Sequence, residues 1–400
     1  MKKQPNNSNC ASALQITVSV SLICVSLILF ASISGAGPGD SRSQGVVMSE
    51  GEVTSFTALG NGNEALPDFV NARPMPLPRA PGPIDMVPSF PDFGTPGFSP
   101  GAVGNGQTNP ITLPLPKISD HDGNLEGPGP EEFGTGNQPF STARADLYSY
   151  ATNTQYPYRV SGKLYFQDAS NNTYYCSASM VKRGLVVTAA HCVANYGARQ
   201  FYHNWRFYPG YRSGVAPYGT WTVYQARVKT AYYNGTDGCA VYAVVCPDDV
   251  AILTLNTDAG GNYAGTYTGW YGYGWNGYGF VQDLTHITQI GYPACLDNGL
   301  LMERDDSHGF VSGAYSSNTI IGTLMREGSS GGPWLNNFGI RPTLTGTGNG
   351  TAADPNIVVG VTSWLYTDDA VKQEGASPFT SNNVKSMVDT ACAATPAACM

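Results

Sequence analysis

The sequence predicts an all-β protein, and three observations carry that expectation. From about Tyr156 onward, short runs rich in Val, Ile, Thr and Tyr alternate with Gly, Asn and Pro, the pattern of many short strands joined by frequent turns. Charged residues make up only 12% of the 400, against roughly 25% in an ordinary soluble domain. The hydrophobic share is 42%, enough for a sizeable core. Only one stretch, Ser381–Cys392, has a helical pattern, with Ser381 or Asn382 as the expected N-cap. Many short strands with one late helix predict a barrel or a sandwich.

Taken in order, the chain begins with Lys2 and Lys3, then an apolar stretch from Ala11 to Ile33, then Ser34, Gly35, Ala36 and Gly37. A positive start, an apolar middle and small residues are the layout of a secretory signal, with cleavage expected after Ala36. The apolar stretch is also long enough to act as an uncleaved membrane anchor. Residues 1–36 are therefore a signal peptide or an anchor. The rest of the chain is expected to be secreted, or anchored on the extracytoplasmic side.

From Gly37 to Thr154 the composition shifts to Pro, Gly, Asn and Ser, in stretches such as Ala72–Pro83 and Pro88–Pro100. A segment with so few large apolar residues is expected to bury too little surface to offset its conformational entropy. Residues 37–154 are read as a disordered pro-region or linker, either a tether or an inhibitory segment. Residues 155–400 are read as the folded domain. Its strand runs are Gly162–Gln167, Leu185–Ala190, Thr220–Val228, Val250–Leu255, Gly279–Val281, His286–Gly291, Phe310–Tyr315, Thr319–Thr323 and Ile357–Trp364.

A formal net charge of −8 argues against a nucleic-acid partner, which would need basic surface to displace counterions. After Cys10 and Cys24 in the leader, seven cysteines remain: Cys176, Cys192, Cys239, Cys246, Cys295, Cys392 and Cys399. No pair has the C-x-x-C spacing of a zinc or redox site. Cys239 with Cys246, and Cys392 with Cys399, are close enough to close small loops. Cys176 and Cys192 span two expected strands, and Cys295 is left over.

Three strings carry possible chemistry: Thr188-Ala189-Ala190-His191-Cys192, Asp249-Val250-Ala251-Ile252-Leu253, and Gly328-Ser329-Ser330-Gly331-Gly332-Pro333. They supply a His, an Asp and a Ser, each beside an expected strand end. A serine hydroxyl becomes a useful nucleophile only when a neighbouring imidazole removes its proton. That imidazole must be held in the right tautomer by a carboxylate. The anion formed on the attacked carbonyl needs preorganised N–H donors, and glycines around Ser330 leave the backbone bare for that purpose.

In the order His, Asp, Ser, with a Cys sixteen residues before Cys192, these motifs resemble those of the chymotrypsin-fold serine peptidases. The segments Tyr156–Phe166 and Ala216–Trp221 resemble the V8-like, glutamyl-endopeptidase branch. The resemblance implies two six-stranded antiparallel β-barrels with a C-terminal helix. It implies His191 as general base, Asp249 as its orienter and Ser330 as nucleophile. The N–H groups of Gly328 and Ser330 would form the oxyanion hole, and Cys176–Cys192 would be the disulfide beside the histidine. Ser363, Trp364 and Leu365 would be the strand that pairs with substrate backbone. The implied activity is hydrolysis of polypeptides through an acyl-enzyme, by a monomer, with no cofactor and no metal.

The departures from the family pattern matter. Ser329 stands where the trypsin branch carries an Asp, so the salt bridge to a new N-terminus is not expected. Leu324 stands six residues before Ser330, where an Arg- or Lys-cleaving pocket carries an Asp. Thr362 and Ser363 stand where glutamate-specific relatives place a His, leaving that specificity unsupported. An α/β-hydrolase would need a His after the Ser, and none of His121, His191, His203, His286 and His308 follows Ser330. A secreted binding module with an inactive protease fold is the alternative from another class. The aromatic loop at Gly265–Gly279 would be its recognition surface.

Overall fold

A computed structural model describes residues 45–59, 64–82, 93–117, 132–133, 139–146, 152–312, 315–339, 352 and 354–400. The signal peptide or anchor expected at 1–36 lies outside the described residues.

Twelve strands close into two barrels. The first is built from β1 (Ser161–Gln167), β2 (Thr173–Lys182), β3 (Leu185–Thr188), β4 (His203–Pro209), β5 (Trp221–Lys229) and β6 (Ala251–Leu255). They pair antiparallel in the order 1-2-3-6-5-4, and β4 closes back onto β1. The second is built from β7 (Leu284–Gly291), β8 (Glu303–Ser312), β9 (Asn318–Gly322), β10 (Pro333–Asn336), β11 (Ile357–Tyr366) and β12 (Gln373–Ala376). Its order, 7-8-9-12-11-10 closing on 7, repeats the first. These are the two barrels that the motifs implied.

The barrels take the β-branched and aromatic residues inward. Leu164, Phe166, Val186, Val187, Ile252 and Leu253 are fully buried in the first, and Ile287, Ile320, Ile321, Trp334 and Trp364 in the second. Closure leaves few strand edges, which suits a chain with few surface charges to guard them.

The C-terminal helix runs as a wide turn over Ser381–Lys385 and an α-helix over Ser386–Ala394. Its cap is Thr380, one residue before the expected one. The Thr380 hydroxyl accepts from the Asn383 N–H, and the Asn383 side chain accepts from the Thr380 N–H, a reciprocal capping box. Val384, Met387, Val388 and Ala391 pack into the core. The cysteines pair as Cys176–Cys192, Cys239–Cys246 and Cys392–Cys399. Among the described residues no helix is long and apolar enough to cross a membrane.

The expectation of disorder over residues 37–154 is corrected in its described parts. Strands Gly45–Glu50 and Val53–Ala58 form a hairpin whose second strand pairs with Gln225–Lys229 of β5. The reason is an open edge: β4 pairs only with Trp221 and Thr222 on that side of β5. Pro139–Arg144 adds antiparallel to Glu303–Ser307 of β8. Short pieces at Arg73–Pro74 and Arg79–Ala80 pair with β2 and β11. Few apolar residues are needed, because each drops into a slot that the barrels supply. Phe56 packs against Phe201 and Trp205, Phe69 edge-on against Tyr165 and Tyr208, and Phe140 is buried over β8.

Phe56 tests this attachment. Phe56→Ala is expected to destabilise the folded protein by about 3 kcal/mol in urea unfolding, the usual cost of emptying an aromatic site. An unchanged midpoint would mean that the segment does not contribute to the folded domain.

Candidate active site

The three motifs converge on the seam between the barrels. His191 lies in a short 3-10 turn, Ala190–Cys192, directly after β3 and Ala189. Asp249 lies two residues before β6, which pairs with β3, so the pairing carries the Asp to the His. Its carboxylate takes both N–H groups that His191 offers: the backbone N–H to Oδ1 at 2.8 Å and ring Nδ1 to Oδ2 at 2.8 Å. A carboxylate can only accept, so the ring proton sits on Nδ1 and Nε2 is left with a basic lone pair. A third donor comes from the other barrel, the Ser363 hydroxyl, 2.5 Å from Oδ2. The adjacent Asp248 donates its backbone N–H to Asp237 at 3.0 Å.

Ser330 arrives from the second barrel, in the turn before β10. Its carbonyl accepts from the Ser177 N–H on β2 at 2.8 Å. The Ser177 hydroxyl donates to the Gly328 carbonyl and accepts from the Tyr292 N–H, each at 2.9 Å. Thr188, three residues before His191, donates its hydroxyl to the Ser177 carbonyl. Gly331 sits at φ +75°, and a Cβ there would lie 1.9 Å from Thr188 Oγ1. Only glycine lets the Ser330 turn close onto the histidine motif. His191 Nε2 and Ser330 Oγ are both fully buried and, among the described residues, neither has a hydrogen-bond partner.

The backbone of that turn is divided in its bonding. The N–H groups of Ser329, Gly331 and Gly332 are bonded to Arg326, Thr362 and Ser329 carbonyls. Among the described residues, those of Gly328 and Ser330 donate to no acceptor, and Gly328 holds φ +94°. These are the two N–H groups expected to serve as an oxyanion hole.

The structure also gives Ser329 a place. Its hydroxyl donates to the Arg326 carbonyl at 2.6 Å and lies 3.2 Å from Glu374 Oε1. Glu374 is buried on β12, with Gln289 donating to its Oε2 at 2.5 Å. Burial holds the Glu374 carboxyl well above the usual carboxylate range. A buried hydroxyl–carboxyl pair thus lies beneath the Ser330 turn.

The expected substrate strand is partly re-read. The register of β11 against β12 shifts between Thr362 and Trp364, and this bulge aims the Ser363 side chain at Asp249. Trp364 is wholly buried, stacked on Tyr315 and donating to Asn318 Oδ1. Leu365 is buried with its N–H exposed to pairing, donating to the Pro78 carbonyl at 3.0 Å. Any recognition of a peptide by this strand falls to its backbone. Leu324 is half-buried, its carbonyl accepting from Cys295 Sγ and its N–H donating to Thr142. The residues that sequence reasoning missed, Ser177, Tyr175, Gln289 and Glu374, stand in no motif of their own. Two groups of close potential metal ligands, Cys176–His191–Cys192 and Asp237–Cys239–Cys246, have their sulfurs committed to disulfides.

Two closed six-stranded barrels of this order are the chymotrypsin-like fold. The family model described as Trypsin matches residues 149–385. The chain belongs to the trypsin family and is a serine endopeptidase. No curated protein matches the chain. Among solved structures it is similar to the thermostable serine protease AL20 from an extremophilic microorganism, at 23% identity and TM-score 0.47, covering 58% of this chain and 96% of that one. It is similar to the protease Anisep from Arthrobacter nicotinovorans at 24% identity and TM-score 0.47, covering 59% and 96%. A Glu endopeptidase is similar at 19% identity and TM-score 0.41, covering 60% and 92%.

The Glu374 carboxyl generates a pH prediction. The unfolded chain releases this proton near the ordinary value of 4.5, while the folded chain keeps it to higher pH. Above that value folding takes up a proton, so this group's stabilising contribution declines as pH rises, by up to about 1.4 kcal/mol per pH unit. Glu374→Gln is expected to flatten the fall in urea-unfolding stability between pH 5 and 7. Asp305 and Glu303, also raised by burial, keep part of the slope. An unaltered slope in the variant would mean that Glu374 ionises normally in the fold.

Proposed function

We propose that this endopeptidase works through His191, Asp249 and Ser330, and that it acts outside the cell. The single observation carrying the catalytic part is the Asp249 carboxylate, which holds both N–H groups of His191 and leaves Nε2 bare. In the proposed reaction Nε2 takes the Ser330 proton as Oγ adds to the peptide carbonyl. The N–H groups of Gly328 and Ser330 meet the oxyanion. The imidazolium then gives its proton to the leaving amine, and the acyl-enzyme is hydrolysed by the reverse sequence with water.

Three disulfides support a life in an oxidising compartment, where such bonds persist. The substrates proposed are polypeptides. The stretches Tyr156–Phe166 and Ala216–Trp221 favour the V8-like branch, but glutamate specificity is not part of the proposal. Leu324 offers no countercharge, and a buried unpaired cation is costly, so cleavage after Arg and Lys is expected to be poor.

A fluorophosphonate probe tests the assignment. The parent chain is expected to be phosphonylated at Ser330, and Ser330→Ala to lose labelling and at least about 10^4-fold of peptide turnover. In a peptide library the parent is expected to disfavour Arg and Lys before the cut. Undiminished turnover by Ser330→Ala would overturn the nucleophile. A parent chain that never labels would favour the inactive binding module.

A further inference from the structure

The segment Arg73–Ala80 lies across the site just described. It leaves the first barrel where Arg73 and Pro74 pair with Tyr174 and Tyr175 of β2, in parallel, and the Met75 N–H donates to the Tyr175 carbonyl at 2.9 Å. It reaches the second barrel where Arg79 and Ala80 pair with Leu365 and Tyr366 of β11, again in parallel, with Leu365 N–H on the Pro78 carbonyl and Thr367 N–H on the Ala80 carbonyl.

Both landing points border the proposed machinery. Tyr175 precedes Cys176, which is bonded to Cys192 beside His191. The Tyr175 ring also packs on the nucleophile turn, where a Cβ on Gly328 would lie 2.7 Å from it. Leu365 is two residues from Ser363, which touches Asp249. Between the landing points Leu77 is buried to 3% exposure. Arg79 donates to Glu327, the residue before Gly328, at 2.5 Å and to Asp369 at 3.1 Å. The proposed catalytic atoms beneath, His191 Nε2 and Ser330 Oγ, are fully buried.

We infer that Arg73–Ala80 is a built-in occupant of the substrate cleft that slows the enzyme by binding in the direction opposite to a substrate. This rests on the reading of Ser330 and His191 given above. The direction follows from the chemistry. His191 must protonate the leaving nitrogen, so the departing, C-terminal part of a substrate lies on the side of His191 and Cys176–Cys192. The acyl, N-terminal part then lies along Ser363–Leu365. In this segment the N-terminal end, Arg73–Met75, is at Tyr175, and the C-terminal end, Pro78–Ala80, is at Leu365. A carbonyl presented in that polarity places its amide nitrogen away from the proton donor. The segment therefore uses substrate-like backbone bonds without being cut.

Its sequence suits the task. Pro74, Pro76 and Pro78 alternate with Met75, Leu77 and Arg79. Alternate prolines stiffen the chain into an extended form, lowering the entropy lost on holding it in the cleft. The one charged anchor in the crossing is Arg79, set between two acids, an arrangement of charge-assisted hydrogen bonds.

The test compares Ser330 phosphonylation rates in the parent chain and in Arg79→Glu, which places a third acid beside Glu327 and Asp369. Roughly a tenfold or greater rise is expected, about 1.4 kcal/mol of lost closure. Arg79→Ala, with a smaller rise, serves if the reversed charge prevents folding. A synthetic Ala72–Gly82 peptide added to either variant is expected to slow labelling again and to be recovered uncut. Equal rates in parent and folded variants, or a peptide cleaved within Met75–Arg79, would overturn the inference and leave the peptidase assignment standing. Failure of parent and both folded variants to label at all would overturn both.

Discussion

The carboxylate of Asp249 is the constraint on which the arrangement depends. It is buried at the seam of two barrels and accepts from the His191 backbone, the His191 ring and the Ser363 hydroxyl. A buried carboxylate without donors would be costly, so these bonds are a requirement of folding as well as of chemistry. Two come from the first barrel and one from the second. Satisfying one side chain therefore fixes the histidine's tautomer and ties the substrate-side strand to it.

The nucleophile turn is held by the same economy of buried groups. Ser177 answers the Ser330 backbone, the Gly328 carbonyl and the Tyr292 N–H from a single position on β2. Gly331 lets the turn approach Thr188, and Ser329 with Glu374 fills beneath it. Where a relative would bring a carboxylate and a new ammonium, this chain uses a hydroxyl and a buried acid already folded in place. Its nucleophile turn is formed with no inserted N-terminus. Control of activity then falls to access, and Arg73–Ala80 is the segment that lies across the cleft.

How much of this was legible in the sequence follows from how local each signal is. His191, Asp249 and Ser330 stand in short motifs next to strands, so their convergence could be anticipated, and the strand runs announced the barrels. Ser363 was expected to serve substrate, but its side chain is turned by a bulge, and a one-residue register shift leaves no mark in composition. Phe56, Phe69, Leu77 and Phe140 are isolated apolar residues among Pro and Gly. The slots of Phe56, Phe69 and Phe140 are made by β1, β4, β5 and β8, far away in sequence, so local counting predicted disorder. Thr380 was missed as the helix cap because its partner is the Asn383 side chain, which a search for Glu or Gln at that position does not find. Glu374 looks like a surface acid until the closure of the second barrel encloses it.

The most direct measurement is the rate of acylation of Ser330 by a small activated ester in Asp249→Asn compared with the parent chain. An amide in place of the carboxylate keeps the shape but can donate to Nδ1, driving the ring proton to Nε2 and removing the base proposed for Ser330. The account predicts a fall of about 10^4-fold with the two-barrel fold retained by circular dichroism. A fall of less than about tenfold in a folded variant would contradict it, because His191 would then be acting without the carboxylate that the seam is built around.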